Sequence, residues 1–138
     1  MDVRNNNIPQ LIDLKSIGSP DLGYLTVAEF PANIPFPIKR TYWTYFTPHN
    51  VERGNHGHKE LEQIIVAVNG IIEFELESTV GDKYKFTLDN PQKGLYIPKR
   101  YWRVLHFSHS AVMLCMASLE YNPDDYIRNY EDFKKFKS

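Results

Sequence analysis

The 138-residue sequence contains a single cysteine, Cys115. No disulfide framework can therefore form within one chain. Cys115 lies in the apolar run AVMLCMASL, where a small buried hydrophobic side chain is expected rather than a reactive thiol. The cysteine content gives no indication of thiol chemistry.

The sequence also lacks an excess of either charge and any long hydrophobic run. Its 16 Lys and Arg against 17 Asp and Glu give a formal net charge of -1, so no long-range field attracts nucleic acid or anionic lipid. No apolar stretch approaches the roughly 18 residues of a membrane span, and MDVRNNNIPQLIDL lacks the apolar core of a signal peptide. We expect a cytoplasmic protein that binds neither nucleic acid nor membranes.

Aromatic and β-branched residues are abundant and occur in short runs. Aromatic residues make up 14% of the chain, and Gly, Pro, Asn and Asp separate the runs. This pattern predicts an antiparallel all-β sandwich or barrel that spans 1–138 as one domain. The predicted strands cover 24–30, 38–46, 62–68, 71–78, 83–88, 94–97, 102–107 and 111–119.

Turns and one helix complete the predicted elements. The Asn-Gly pair at 69–70 predicts a two-residue hairpin turn, and the Gly-Asp pair at 81–82 predicts a second turn. The tail NPDDYIRNYEDFKKF has acidic residues early, lysines late, and an aromatic face formed by Tyr126, Tyr130 and Phe133. It is expected to form a short C-terminal helix that packs across one end of the sheet or onto a partner.

The segment RGNHGHKELEQIIVAVNG carries two closely spaced histidines. If the segment is one extended strand, His56 and His58 share a face with Glu60 and Glu62, and Gln63 lies on the other face. Both faces become apolar toward the Asn-Gly turn, as expected for a strand that enters a barrel interior. The histidines would then lie at the barrel mouth, a common place for small-molecule sites.

These histidines are compatible with either a metal or proton transfer. His56, His58 and Glu62 have the spacing of the first half of a metal-binding cupin motif, which needs a third histidine from a later strand. The corresponding residue is Arg103, which cannot bind a cation and repels one, so a metal would require His106 to reach the site through a bulge. We therefore predict no metal. Two imidazoles with an unperturbed pKa near 6.5 can exchange protons at neutral pH, although they could also form an ordinary solvated strand end.

Several motifs occur in the order and spacing of a known family. They are NIPFPIKRTYWTYF, RGNHGHKELEQIIVAVNG, KGLYIPKRYW and DDYIRNYEDFKKF. From about Gly23 to Phe136, the chain resembles the small cupin-fold dTDP-sugar 3,4-ketoisomerases, the WxcM-like group. The resemblance implies an all-β cupin or jelly-roll barrel, a double-stranded β-helix, with a short C-terminal helix.

The resemblance also implies a reaction. It is the conversion of dTDP-4-keto-6-deoxy-D-glucose to the 3-keto isomer without a cofactor. This step leads toward 3-amino-3,6-dideoxy sugars of surface glycans such as the O-antigen of lipopolysaccharide. The residues agree with this chemistry, which needs a base, a proton donor and groups that face the oxygen that gains charge.

The resemblance further implies roles for individual side chains. His56 matches the family's catalytic base, and His58 would relay a proton or hold the enediolate oxygen. Tyr42 matches a tyrosine that faces the sugar, although a barrel-wall aromatic is the alternative. The candidates for substrate binding are Arg53 and Arg103 for the pyrophosphate and sugar oxygens, and Gln63. Trp102 or Tyr96 could stack on thymine, although core packing is favoured for both aromatic side chains.

Three positions depart from the family pattern or vary within it. Gly57 stands where alanine is usual, and we expect little effect because it points away from the histidine face. Leu22 precedes Gly23 where family members often carry arginine, which removes a possible charged pocket residue. Arg103 occupies a position that holds histidine in some relatives and arginine in others, and it bears on the stereochemistry at C4.

Three other functions are compatible with the sequence. A dTDP-ketosugar epimerase would use the same deprotonation but return the proton to the same carbon. A non-catalytic sugar-binding cupin would bind without chemistry, although the sequence has no helix-turn-helix segment or basic extension. A metal-dependent cupin enzyme is disfavoured by Arg103. For any of these functions, the short strands and the aromatic tail favour a homodimer.

Overall fold

The computed structural model describes residues 7–136, and the regular secondary structure of these residues is almost entirely β-strand. Each strand predicted from the sequence overlaps an observed strand. The strands are β1 Gln10–Asp13, β2 Lys15–Ser19, β3 Gly23–Val27, β4 Arg40–Thr44, β5 Val51–His58, β6 Gln63–Asn69, β7 Ile72–Ser78, β8 Lys83–Leu88, β9 Lys93–Ile97, β10 Tyr101–Phe107, β11 Val112–Ala117 and β12 Tyr126–Ile127, and the helix is α1 Tyr130–Lys135.

The strands form two sheets that enclose a shared core. The first has the order β1-β9-β6-β11-β4, the second has the order β12-β5-β10-β7-β8, and β2 pairs with β3 as a separate hairpin. From β5 onward the chain crosses between the two sheets at almost every connection, which is the jelly-roll arrangement. The predicted all-β, cupin-like jelly roll with a short C-terminal helix is confirmed.

The turn at Asn69-Gly70 differs from the prediction. Gly70 adopts a positive φ of 77°, but Asn69 does not, and β6 and β7 lie in different sheets. The predicted two-residue hairpin is therefore wrong, because the side chain of Asn69 donates to the carbonyl of Ser110 and the turn carries the chain across the core. The predicted turn at Gly81 is confirmed, since β7 and β8 pair around it.

Apolar side chains fill three layers. The layer between the sheets includes Ile65, Phe74, Leu76, Leu95, Leu105, Phe107 and Met113. The outer face of the first sheet is covered by Ile34 and Phe36, which pack on Ile64, Val66 and Met116. The outer face of the second sheet carries Trp102, Ile127 and Phe133. Each face of β6 packs against one of these layers, which explains why the side chains on both of its faces are apolar.

The C-terminal tail is only partly helical. Pro123–Asp125 forms a 3₁₀ turn, and β12 then pairs with Gly57 and His58 of β5. The α-helix begins only after Asn129, whose side chain accepts from the backbone N–H of Asp132. The prediction that Tyr126 belongs to one helical face with Phe133 is wrong, because β-pairing to β5 extends the chain at Tyr126.

Gly57→Ala is expected to lower the free energy of unfolding by about 1–3 kcal/mol, the usual cost of overpacking. Gly57 does point away from the histidines, but an added Cβ would lie 2.7 Å from Cδ1 of the buried Phe133 ring. The earlier expectation of little effect is therefore revised. Urea denaturation would measure the change, and adding Phe133→Leu should recover part of it. If the double variant loses as much unfolding free energy as the two single variants added together, this explanation is contradicted.

Candidate active site

A cavity of about 460 Å³ opens between the two sheets. Its size is typical of small-molecule sites, and its walls combine apolar side chains with convergent polar ones. The lining residues are Arg40, Tyr42, Thr44, Arg53, Gly54, His56, Gln63, Ile65, Arg103, Leu105, Phe107, Met113, Tyr126 and Arg128. Five residues proposed from the sequence are thus brought together, namely Tyr42, Arg53, His56, Gln63 and Arg103.

A β-bulge in β5 decides which side chains face the cavity. The register opposite β10 shifts so that Asn55 is unpaired, while Arg103 pairs with His56 and Leu105 pairs with Arg53. Gly54 and Asn55 both adopt positive φ, at 94° and 58°. The extra residue changes the alternation of the strand. Arg53 and His56, which strict alternation would place on opposite faces, consequently both line the cavity.

His56 is held with one ring nitrogen directed into the protein. Its Nδ1 lies 3.1 Å from the carbonyl oxygen of Gly54. A carbonyl can only accept, so Nδ1 carries the hydrogen and Nε2 keeps its lone pair. Burial lowers the pKa of His56 to about 4, and the positive charges of Arg103 and Arg128 act in the same direction. His56 is therefore a neutral imidazole with a proton-accepting Nε2 at neutral pH.

His58 lies behind His56 and is only 1% exposed. Its ring centroid is 4.9 Å from that of His56 and 4.4 Å from that of Tyr126. Its Nδ1 lies 3.1 Å from Oδ2 of Asp125. Burial lowers the pKa of His58, and the charge of Arg103 lowers it further. His58 is not among the side chains that line the cavity, so it would act on a ligand through His56 and Tyr126, which do line it.

Gln63, Tyr42 and Arg103 form one hydrogen-bonded group at the base of the cavity. The amide oxygen of Gln63 accepts from the guanidinium of Arg103, and its Nε2 donates to the Tyr42 hydroxyl at 2.9 Å and to Sγ of Cys115 at 3.0 Å. The Tyr42 oxygen thus accepts from Gln63, and the same hydroxyl also contacts the Cys115 side chain. Burial raises the pKa of Tyr42, so the phenol stays protonated.

The cavity is strongly positive although the chain as a whole is nearly neutral. Arg40, Arg53, Arg103 and Arg128 line it, and none forms an ion pair with a carboxylate in the described part of the chain. Within the same residues, Nε of Arg40 and Nε of Arg103 have no hydrogen-bond partner. Fixed positive charge with unused donors is suited to an anionic ligand.

Some sequence-derived candidates lie elsewhere. Trp102 alternates with Arg103 on β10, so it faces outward and packs on Phe133 with ring centroids 5.6 Å apart. Tyr96 belongs to the outer cluster of the first sheet, and its hydroxyl donates to Glu62. Both aromatic side chains are packed in apolar clusters and neither lines the cavity. Neither is therefore placed to stack on a ligand there.

The expected alternation from His56 to Gln63 is also wrong. The strand stops at His58 and restarts at Gln63, because the backbone N–H groups of Glu60 and Leu61 turn to the carboxylate of Asp125. Glu60 pairs with Arg100 at the surface, at 2.7 Å. Gln63 instead faces the cavity, where its buried amide meets Arg103.

Sequence reasoning missed several contributors to the site. Arg40 lies two residues before Tyr42 in the predicted strand 38–46. Tyr126 and Arg128 lie in the DYIR part of the tail. The guanidinium of Arg128 lies 4.2 Å from the Tyr126 ring centroid, and that of Arg40 lies 5.1 Å from the Tyr42 ring centroid. Arg40 and Tyr42 are two residues apart on β4 and therefore share a face, which was the available signal for Arg40. The tail offered no such signal, because it was predicted to be helical.

Comparison with known proteins gives consistent matches. Residues 7–138 match the family model described as FdtA: WxcM-like, C-terminal. The chain is 42% identical over 115 residues to the TDP-4-oxo-6-deoxy-alpha-D-glucose-3,4-oxoisomerase of Aneurinibacillus thermoaerophilus, which covers 83% of this chain and 82% of the relative.

Solved structures agree with this match. The sugar 3,4-ketoisomerase QdtA from Thermoanaerobacterium thermosaccharolyticum, in complex with TDP, superposes with a TM-score of 0.86 at 35% identity, covering 92% of each chain. The TDP-quinovose 3,4-ketoisomerase WlaRB from Campylobacter jejuni superposes with a TM-score of 0.86 at 36% identity, covering 93% of this chain and 98% of that one.

Proposed function

Because this chain belongs to the FdtA, WxcM-like C-terminal family, we propose that it is an isomerase that moves the keto group of dTDP-4-keto-6-deoxy-D-glucose from C4 to C3. The observation that carries the proposal is the cavity in which a neutral His56 faces Tyr42 and Arg103. The relatives with the same fold are named for this reaction type.

The reaction needs only proton transfers. A base removes the hydrogen from C3, and the C–H electron pair forms a C3–C4 double bond while negative charge develops on the oxygen at C4. A proton then arrives at C4, the oxygen at C4 takes a second proton to become a hydroxyl, and the hydroxyl at C3 loses its proton to become the carbonyl. No electron is gained or lost overall, so a base, a proton donor and positive groups near the oxygens suffice.

The geometry supports a division of roles. His56 would take the C3 proton on Nε2, which is directed away from Gly54. The Tyr42 hydroxyl, which already accepts from Gln63, would donate toward the sugar oxygen, and Arg103 would stabilise the enediolate charge. His58 would act from behind His56. That the site binds no metal stays a prediction, which metal analysis of the purified protein tests.

The arginines extend the proposal to the diphosphate. Arg53 lies at the exposed end of the bulge, while Arg40 and Arg128 are each stacked near a tyrosine ring of the cavity. Guanidinium groups match phosphate oxygens in both charge and geometry. We therefore assign Arg40, Arg53 and Arg128 to the pyrophosphate side of the cavity, with the sugar toward His56.

Incubation with dTDP-4-keto-6-deoxyglucose in deuterated water, followed by NMR, tests the reaction. Loss of the C3 hydrogen with deuterium arriving at C4 and a carbonyl at C3 is the expected result. An epimerase would return deuterium to the carbon that lost hydrogen, and a binding module would exchange nothing beyond an enzyme-free control. Either of those outcomes would refute the isomerase proposal.

The pH dependence follows from the low pKa of the base. Since His56 must be neutral to accept the C3 proton, kcat/KM is expected to stay level on acidification from pH 7 and to fall with an apparent pKa of about 4. An acidic limb near the ordinary histidine pKa of about 6.5 would contradict the burial of the base.

Stability must be followed in the same pH series. A buried histidine with a lowered pKa binds fewer protons when folded than when unfolded between pH of about 6.5 and about 4. The free energy of unfolding therefore decreases as the pH falls through this window. Circular dichroism at each pH separates loss of the fold from protonation of the base.

The exposed apolar surface supports a homodimer. Leu22, Tyr24 and Leu25 of the β2–β3 hairpin are 92%, 59% and 56% exposed, and Trp43 of β4 is 60% exposed. Soluble monomers rarely expose such a concentration of large apolar side chains. Sedimentation should give a dimer at micromolar concentration, and Leu25→Asp should weaken it. A wild-type chain that sediments only as a monomer would refute the proposal.

In the described part of the chain, no helix is long and apolar enough to cross a membrane. We further propose a cytoplasmic enzyme that supplies a 3-keto sugar for amination, on the way to surface glycans such as the lipopolysaccharide O-antigen. Activity recovered outside the cytoplasmic fraction of the source cells would contradict this location.

A further inference from the structure

Asp125 is a buried carboxylate with donors from three other residues. Its side chain belongs to the 3₁₀ turn before β12 and is 7% exposed. Oδ1 accepts from the backbone N–H of Glu60 at 2.8 Å, and Oδ2 accepts from that of Leu61 at 3.3 Å. Oδ2 also lies 3.1 Å from Nδ1 of His58. A carboxylate that collects donors in this way holds its partners in fixed positions.

This contact defines the tautomer of His58. Burial raises the pKa of Asp125, but the backbone N–H groups of Glu60 and Leu61 favour the ionised form. An ionised carboxylate only accepts, so Nδ1 of His58 must carry the hydrogen, and Nε2 keeps its lone pair on the side of the ring away from Asp125. His58 thus has the same tautomer as His56, whose Nδ1 is held by Gly54.

The orientation of His58 is transmitted to His56. Their ring planes are perpendicular, with centroids 4.9 Å apart, and the Tyr126 ring packs on both, 5.2 Å from His56 and 4.4 Å from His58. Rotation of the His58 ring would therefore disturb the packing of the His56 ring. Because His58 does not line the cavity, its effect on a substrate passes through the rings that pack on it, His56 and Tyr126.

We propose that Asp125 is a positioning residue, whose carboxylate fixes the tautomer and ring orientation of His58 and, through that ring, the aim of the base His56. The inference rests on the proposed isomerase function and deepens it. It also gives the tail a role at the active site, because the turn that carries Asp125 leads directly into Tyr126 of the cavity wall.

The Asp125→Asn variant tests the role in catalysis. An amide has one oxygen, so its NH₂ group must face either the N–H of Glu60 or Nδ1 of His58, and the latter forces the other tautomer. We expect kcat to fall about 10- to 100-fold, the range for groups that orient a reacting side chain, with KM changed little. Asp124→Asn, an exposed neighbour in the same turn, is the matched control and should retain full activity.

A double variant separates positioning from a general effect on the fold. In the His58→Asn background, Asp125→Asn should cause no further loss of kcat, because its effect passes through His58. If the two losses multiply, or if Asp125→Asn alone keeps the wild-type kcat, the positioning role is refuted.

NMR of the substrate-free wild type gives a test that needs no variant. Two-bond ¹H–¹⁵N correlations of the imidazoles should show His58 neutral and protonated on Nδ1. An active wild type with His58 protonated on Nε2 would refute the role of Asp125 alone. A wild type without isomerase activity would instead refute the proposed function, whichever tautomer is observed.

Discussion

His56→Asn is expected to lower kcat by about 10²–10⁴-fold, the contribution of a positioned general base, while TDP still binds. The reason is geometric. Nδ1 of His56 is occupied by the carbonyl of Gly54, so Nε2 is the basic atom that faces the cavity, and an asparagine amide cannot accept a proton from carbon. Steady-state kinetics and calorimetric titration with TDP measure the two quantities separately.

His106→Asn is the matched control for this variant. His106 alternates to the outer face of β10, where its Nε2 lies 3.2 Å from Glu52, so its replacement should leave kcat unchanged. Near-normal turnover of His56→Asn would show that another group removes the C3 hydrogen. Loss of TDP binding together with turnover would point to a folding defect instead, which circular dichroism would detect.

Gln63→Glu is expected to lower kcat/KM by about 10²-fold or more while the free energy of unfolding rises by about 1 kcal/mol. The change replaces one NH₂ group by oxygen. The new carboxylate would neutralise the buried guanidinium of Arg103 and accept the hydrogen of the Tyr42 hydroxyl. The Arg103 guanidinium and the Tyr42 hydroxyl would then interact with the new carboxylate instead of with the substrate oxygen.

The rise in stability distinguishes this explanation from simple damage. Arg103 is buried without a carboxylate partner among the described residues, and burial lowers its pKa, so a nearby negative charge should stabilise the folded state. Gln92→Glu, the same change at a partly buried residue outside the cavity, controls for added charge. Unchanged activity of Gln63→Glu would contradict the proposed roles of Tyr42 and Arg103.

Much of the fold was predictable because local sequence preferences agree with it. Short β-branched and aromatic runs between turn residues predicted the strands, and the family resemblance implied the jelly roll. The prediction failed where long-range contacts compete with local ones. The Asn-Gly turn at 69–70 joins different sheets, and residues around Tyr126 form β12 because β5 offers a pairing edge.

The site shows the same division. The residue types for proton transfer were evident from His56 and His58, and their match to a family motif implied Tyr42. The wrong position of Glu60 came from assuming uninterrupted alternation, which the strand break after His58 overturned. A sequence pattern cannot reveal such breaks when the cause is a side chain distant in the chain.

The sequence by itself determined an all-β chain with a histidine pair and the arginines needed for an anionic ligand, because residue type fixes charge and proton affinity. The tertiary structure alone decided which of these groups meet. The bulge at Asn55 lets Arg53 and His56 line the same cavity, and the strand break turns Gln63 inward. Asp125 reaches His58 across 67 residues of chain, since burial and hydrogen bonding depend on neighbours in space.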